Sequence, residues 1–86
     1  MSATFGEFAR ARRQMLELTL EQVAQKIGTH KGYISGWETG AVHPPSEKLL
    51  PKLAEALKTD LTILRVMAYV EKAPKEIKEF VKSKLL

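Results

Sequence analysis

The feature that most constrains the fold of this chain is a regular series of signals that begin and end helices. Thr4 is followed by Glu7 at the spacing of a capping box, in which the two side chains bond backbone N–H groups at a helix start. Thr19 and Gln22 repeat this pattern, and Gly28 then supplies the residue best suited to a left-handed helix end. We therefore expect short helices joined by tight turns.

The rest of the chain continues in the same way. Gly40 ends a third predicted helix, which covers about residues 31–39. Pro44 and Pro45 push the residues before them toward extended backbone, so 41–45 is expected to be a loop. Further helices are expected to start at Ser46, Asp60 and Pro74. No segment alternates as a strand does, so the sequence predicts an all-α fold.

Apolar residues recur at helical spacing within these segments and give each predicted helix an apolar side. On the first helix, the residues expected on or near one face are Phe5, Phe8, Ala9, Met15 and Leu16. The fourth helix has an apolar stripe of Leu49, Leu50, Leu53, Ala54 and Leu57. The fifth is expected to point Ile63, Leu64, Met67 and Ala68 inward, and the last carries Ile77, Phe80, Val81 and Leu85 on one side.

Composition excludes several classes of protein. The chain has 86 residues, enough for one core and too few for a catalytic domain with a regulatory one. It contains no cysteine, so neither a disulfide framework nor a thiolate metal site holds it together. No apolar run approaches the roughly 20 residues of a membrane span, and the first residues lack signal-peptide character. We expect a cytoplasmic protein of bacterial or phage origin, with no membrane partner, metal or cofactor.

An enzymatic function is not expected. The histidines are His30 and His43, the one aspartate is Asp60, and no glycine-rich phosphate loop or metal-ligand cluster accompanies them. The net charge of +4 instead favours a polyanionic partner. Nine of the 14 basic residues lie in 44–86, where they also suit a solvated helix face, so charge alone does not decide for nucleic acid.

The segment 19–40 is the most informative part of the sequence. It contains two short predicted helices joined at Gly28, with apolar residues spaced to pack the helices against each other at a steep angle. These apolar residues are Val23, Ala24, Ile27, Ile34 and Trp37. Such a pair leaves the outer face of the second helix free to enter a groove of DNA.

This segment resembles the helix-turn-helix domain of the Cro and lambda-repressor-like (XRE-type) transcriptional regulators, and the resemblance extends over about 5–70. Its signature is spread over Leu18-Thr19, Ala24, Ile27-Gly28, Ile34-Ser35, Trp37-Glu38, Gly40, Leu53-Ala54 and Ala56-Leu57. The resemblance implies a compact five-helix domain over 1–72, and the apolar row of the last predicted helix adds an amphipathic helix over 73–86. It also implies a sequence-selective regulator, repressor-like in type, that binds double-stranded DNA with the helix 31–39 in the major groove.

The resemblance also assigns roles to residues. In this family an arginine late in the first helix pairs with a glutamate at the end of the recognition helix, and Arg13 and Glu38 hold these positions. A surface ion pair is the alternative for these two residues. The residues expected to face DNA are His30, Lys31, Gly32, Tyr33, Ser35, Gly36 and Thr39. Contacts with the sugar-phosphate chain are expected from Thr19, His43, Ser46 and Lys48, each of which could equally be a cap or an ordinary surface residue.

Helical geometry independently supports the outward face of the third helix. If Ile34 and Trp37 point inward, Gly32 and Gly36 point outward at about 100° per residue. A glycine costs a helix about 1 kcal/mol relative to alanine, so a close approach to DNA would explain both. Leu20 stands where many relatives carry a glutamine that braces this helix, which favours weak direct readout with more reliance on DNA backbone and shape.

The last predicted helix leaves two alternatives open. The row of Ile77, Phe80, Val81 and Leu85 could join two copies of the chain, or bind another protein, as in antitoxins, anti-repressors and bridging factors of the same fold. The same row could instead fold back and enlarge a small core. We expect a homodimer on two half-sites about one helical turn apart.

Overall fold

The computed structural model describes residues 4–84, excluding the side chains of Val81 and Lys82. Its described part contains six helices and no strand, which confirms the all-α prediction. The helices are α1 (Phe5–Met15), α2 (Leu20–Ile27), α3 (Lys31–Thr39), α4 (Leu50–Ala56), α5 (Leu61–Lys72) and α6 (Lys75–Lys84). Helix α1 packs on α3 and α5, while α2 contacts α3 and α4.

The helix-start signals act as their chemistry predicts. The Thr4 hydroxyl accepts the Glu7 N–H at 3.1 Å, and the Glu7 carboxylate accepts the Thr4 N–H at 2.9 Å. The bond from the Thr4 N–H to the ionised carboxylate is the main cause that lowers the pKa of Glu7. Thr19 and Gln22 form the same pair of bonds at the start of α2. Both capping boxes expected from the sequence are therefore present.

The glycine signals also end helices as expected. Gly28 and Gly40 follow α2 and α3 with φ of 81° and 82°, a conformation that side chains with a Cβ rarely adopt. The first of them turns the chain through Thr29 and His30 directly into α3. Two helices of eight and nine residues are thus held close together by one tight connection.

The start of α4 differs from the sequence-based expectation. Ser46 was expected to cap this helix, but the helix begins at Leu50 after a turn in which the Leu49 N–H bonds the Ser46 carbonyl at 3.0 Å. Pro51 lies in the first turn, where its missing N–H costs no helical hydrogen bond. The hydroxyl of Ser46 therefore makes no capping bond and belongs to an exposed turn.

The core is built around Trp37 of α3, which is 2% exposed. The Phe5 ring lies edge-on to it at a centroid distance of 6.4 Å. The buried apolar residues are Phe5, Ala9, Val23, Ala24, Ile27, Ile34, Trp37, Leu50, Leu53, Ala54, Leu57, Leu64 and Ala68. They come from α1 through α5 and the residue after α4, so these five helices share one core.

Two contacts that the sequence pattern did not predict hold α1 in place. Gly6 is buried where α1 crosses α3, and a Cβ at this position would lie 2.1 Å from the Trp37 carbonyl oxygen. Arg12 reaches the end of α4, where its guanidinium donates to the carbonyls of Leu57 and Lys58. These carbonyls lack partners within their own helix, so the arginine caps a neighbouring helix.

Two apolar residues expected on the apolar sides of their helices are instead exposed. Met15 lies at the end of α1 and is 67% exposed, because α1 packs through Phe5 and Ala9. Ile63 of α5 is 49% exposed, since this helix buries the side of Leu64 and Ala68. The inward assignment of Ile63 was therefore wrong.

Helix α6 does not extend the core with its described apolar residues. Ile77 and Phe80 are 52% and 58% exposed, and the main packing partner of α6 is α5. The interpretation in which these two side chains complete the core is therefore wrong. Leu85 lies outside the described residues, and so does the side chain of Val81.

Candidate nucleic-acid interface

Helix α3 is seated on the body of the protein by its inner side. Ile34 and Trp37 are both buried, and the Tyr33 ring packs against Trp37 at a centroid distance of 4.7 Å. The turn at Gly28 brings α3 across α2, whose Ile27 is also buried. This packing fixes the direction in which the opposite side of α3 faces.

Arg13 and Glu38 form a bidentate ion pair between α1 and the end of α3. The Arg13 Nε lies 2.7 Å from one carboxylate oxygen of Glu38, and a terminal nitrogen lies 3.0 Å from the other. The same guanidinium donates to the Leu18 carbonyl at 2.9 Å, so it also joins the connection before α2. The hydrogen bonds to Glu38 raise the pKa of Arg13.

This pair is mostly removed from solvent, with side chains 13% and 6% exposed for Arg13 and Glu38. Two parallel charge-assisted bonds have a defined geometry, unlike a single contact between mobile surface groups. The arrangement therefore joins three elements, α1, the α1–α2 connection and α3, and orients α3 relative to the rest of the domain.

The first turn of α3 presents a solvent-accessible surface. His30, Lys31 and Gly32 are exposed. A Cβ added to Gly32 would meet no atom closer than the His30 Nδ1 at 3.6 Å, which is ordinary van der Waals contact. The fold of the described chain therefore does not require a glycine at this position.

Three further residues expected to face DNA continue this surface along α3. Tyr33 and Ser35 are partly exposed, and Thr39 is exposed. The Thr39 hydroxyl donates to the Ser35 carbonyl at 3.1 Å, so its hydrogen is used within the helix while its oxygen can still accept a bond. The Tyr33 ring is held between Trp37 and His30, with centroids 4.7 and 6.3 Å away.

The expectation that Gly36 faces outward is wrong. Gly36 is buried beneath the loop that follows α3, and a Cβ there would lie 2.6 Å from the Val42 Cγ2. The Val42 N–H also bonds the Gly36 carbonyl at 3.2 Å. This glycine is therefore explained by close packing of the loop, and the helical angle alone could not reveal what lies in that direction.

The expected backbone-contact residues lie at exposed positions. Thr19 is exposed, but its hydroxyl already accepts the Gln22 N–H as a cap. His43, Ser46 and Lys48 are exposed along the segment between α3 and α4. The structure thus presents polar groups from the start of α2, from α3 and from the following loop.

Two contacts that sequence reasoning missed support this loop. The Arg65 Nε donates to a Glu47 carboxylate oxygen at 2.7 Å, and the Lys72 ammonium group donates to the Pro45 carbonyl at 3.0 Å. Both basic residues belong to α5, which is distant in sequence from the loop. From the sequence, Arg65 and Lys72 count only toward the basic excess of 44–86, and nothing predicts their contacts with the loop.

Within 4–84, no group of three or more histidine, aspartate or glutamate side chains is placed to hold a metal ion. In the same part of the chain, no helix has the length and apolar character needed to cross a membrane.

Comparison with known proteins identifies the family. The helix-turn-helix family profile matches residues 10–64, which include α2, α3 and α4. The chain therefore belongs to the helix-turn-helix family of the lambda-repressor-like (XRE) type.

Solved and curated relatives agree with this assignment. The crystal structure of the P22 c2 repressor with a synthetic operator has a TM-score of 0.68 and 28% identity, covering 73% of this chain and 94% of that one. Two proteins of Mycobacterium tuberculosis strains, each named an uncharacterized HTH-type transcriptional regulator, are 32% identical over 63 residues. The match covers 73% of this chain but 44% of either relative, so this chain spans less than half of their length.

Proposed function

We propose that this chain is a sequence-selective, repressor-like transcriptional regulator that binds double-stranded DNA, with the first turn of α3 in the major groove. The observation that carries this proposal is the exposed surface of Lys31 and Gly32 on a helix whose opposite side is buried through Ile34 and Trp37. The structural similarity to a repressor solved with its operator supports the same function.

The side chains of this surface can contact both the bases and the phosphates of DNA. Lys31 can donate to the O6 and N7 acceptors of a guanine, and Ser35 can bond a base edge. Tyr33 can pack its ring on a thymine methyl or bond a phosphate through its hydroxyl. Since this face carries no arginine, asparagine or glutamine, direct readout is limited and DNA shape contributes to selectivity.

Contacts with the DNA backbone set the register of the protein. His43, Ser46 and Lys48 bind the sugar-phosphate chain beside the groove, and the free N–H groups at the starts of α2 and α3 face phosphates. His30 at the start of α3 makes no side-chain capping bond, so its ring is available to the DNA. These contacts carry most of the salt-dependent affinity.

Selection from randomised duplexes tests this function. We expect the chain to enrich a defined sequence at low ionic strength, with an affinity that falls linearly in log–log form as salt increases. The enriched duplex should bind more tightly than a shuffled duplex of the same composition. Failure to bind any duplex at low ionic strength would show that the proposed function is wrong.

The exposed side of α5 supports assembly of two copies. Ile63, Val66 and Tyr69 are about half exposed on this helix, and Thr62 on the same side is also uncharged. Apolar side chains exposed together on one helix, here beside Arg65, suit a contact with another protein surface. We therefore extend the proposed homodimer interface from α6 to α5. Both the domain over 1–72 and the helix over 73–86 then contribute to it.

Sedimentation equilibrium distinguishes this assembly from binding to a different protein. We expect the wild-type chain to be a dimer, and Val66→Lys to dissociate it into monomers that stay folded, because Val66 is exposed in the folded chain. Met15→Lys is the matched control, since Met15 is an equally apolar but separate exposed residue. A monomeric wild-type chain would contradict the homodimer and favour the alternative, an interaction module such as an antitoxin, which mixing with a candidate partner would reveal.

A further inference from the structure

Two basic residues of α5 hold the loop between α3 and α4, where His43, Ser46 and Lys48 lie. Arg65 binds the Glu47 carboxylate, and Lys72 binds the Pro45 carbonyl. The two residues are seven positions apart, so they extend from the same side of α5 two turns from each other. One helix therefore contacts this loop at two points.

The loop has few other fixed contacts. Its backbone is tied by the Val42 N–H to the Gly36 carbonyl and by the Leu49 N–H to the Ser46 carbonyl. Pro45 is buried and anchors the middle of the loop. Among the described residues, both side-chain hydrogen bonds made to this loop come from α5. The position of the loop thus depends on α5, although α5 is not part of the surface that α3 exposes.

The contact with Arg65 also affects the negative charge that the loop carries at Glu47. Glu47 lies between Ser46 and Lys48, the two residues that the proposed function places on the DNA backbone. An unpaired carboxylate at this position would repel a phosphate. The hydrogen bond from Arg65 pairs the Glu47 carboxylate with a positive charge and directs it toward α5. The same bond raises the pKa of Arg65.

We infer that Arg65 and Lys72 are positioning residues for DNA binding, which act through Glu47 and Pro45 by holding the 41–49 loop against α5 in a conformation that accepts a phosphate. The inference rests on the proposed function. Because the Arg65 and Glu47 side chains are 40% and 46% exposed, their pair adds little to the stability of the fold. Its effect should therefore appear in DNA binding and not in thermal unfolding.

A double-mutant cycle on the enriched duplex tests the role of Arg65. We expect Arg65→Gln to weaken binding about three- to thirtyfold, the range for a residue that acts on a site through a neighbour. Adding Glu47→Gln should cause much less further loss than addition of the two single effects would give, since the contact is already absent and no unpaired carboxylate then remains. Lys75→Gln is the control for loss of one positive charge, because Lys75 pairs only with Glu79 on its own helix among the described residues.

Strictly additive effects of Arg65→Gln and Glu47→Gln would overturn this part of the inference, because Arg65 would then act directly on a phosphate. That role would also lower the slope of log affinity against log salt by about 0.9 in both backgrounds. A wild-type chain that binds no duplex would refute the proposed function itself, whereas binding with additive variants would refute only the coupling.

Hydrogen exchange of the free protein tests the loop without DNA. We expect Lys72→Met to speed exchange of the Val42 amide, whose N–H is bonded to Gly36, and to weaken duplex binding. Exchange at Val23, in the core of α2, should be unchanged and serves as the internal reference. Unchanged exchange at Val42 together with unchanged affinity would show that Lys72 does not position the loop.

Discussion

The two turns of α3 carry one glycine each, and the two glycines have different physical explanations. Gly36 in the second turn lies against Val42, so the fold itself excludes a larger residue there. A Cβ at Gly32 in the first turn would make only ordinary van der Waals contact with the His30 ring, so the fold does not exclude alanine, which would form a better helix. The comparison shows that the second turn is used for internal packing and the first is left free.

The residues that hold α3 in the fold thus lie in a different turn from the residues that α3 exposes to solvent. The second turn also contributes Trp37 to the core and Glu38 to the pair with Arg13. The first turn contributes exposed Lys31 and Gly32. Substitutions in the second turn should therefore lower the free energy of unfolding. Substitutions in the first turn should weaken DNA binding and leave the free energy of unfolding unchanged or raise it.

The largest effect is expected for Trp37→Ala. Removing this buried ring leaves a cavity beside Phe5 and Tyr33 and should lower the free energy of unfolding by about 3–5 kcal/mol. Chemical denaturation followed by circular dichroism measures this change. A variant as stable as the wild type would mean that the inner side of α3 has been assigned incorrectly.

A smaller loss of stability is expected for Gly36→Ala. The added Cβ would overlap the Val42 side chain, and such overpacking costs about 1–3 kcal/mol. The double variant with Val42→Ala should recover part of this loss, which a thermal unfolding series can detect. Equal instability of the single and double variants would indicate that Val42 is not the source of the strain.

Lys31→Ala should leave unfolding nearly unchanged and weaken binding to the enriched duplex by about 1–3 kcal/mol, with relaxed preference at one base pair. Competition binding with duplexes altered at single positions measures both effects. Lys75→Ala provides the same loss of charge on α6. A uniform weakening across all duplexes would show that Lys31 contacts phosphate and not a base.

Local signals allowed much of the fold to be predicted. Capping boxes and left-handed glycines depend on a few neighbouring residues, so the bounds of α2 and α3 agree with the sequence. The start of α4 was missed because its preceding turn uses a backbone bond instead of the Ser46 side chain. Local chemistry could not decide between these two ways of starting the helix.

Contacts between distant segments could not be predicted in the same way. Gly6 looked like any residue of the first helix, although its missing Cβ allows α1 to approach the backbone of Trp37 and Glu38. Periodicity placed Ile63 inward because the outward side of α5 is also apolar. The direction of a side chain follows from helical spacing, but its neighbour depends on the tertiary arrangement.

The most direct test of the account compares Gly32→Ala with the wild type in both unfolding and DNA binding. Alanine should raise the free energy of unfolding by about 0.5–1 kcal/mol, since helices favour it over glycine. The same methyl group should weaken binding to the enriched duplex by about 1–3 kcal/mol, the order for overpacking a close contact. Opposite signs in the two measurements are the predicted result, and a stabilised variant that binds the duplex as tightly as the wild type would contradict the close approach of DNA to the first turn of α3.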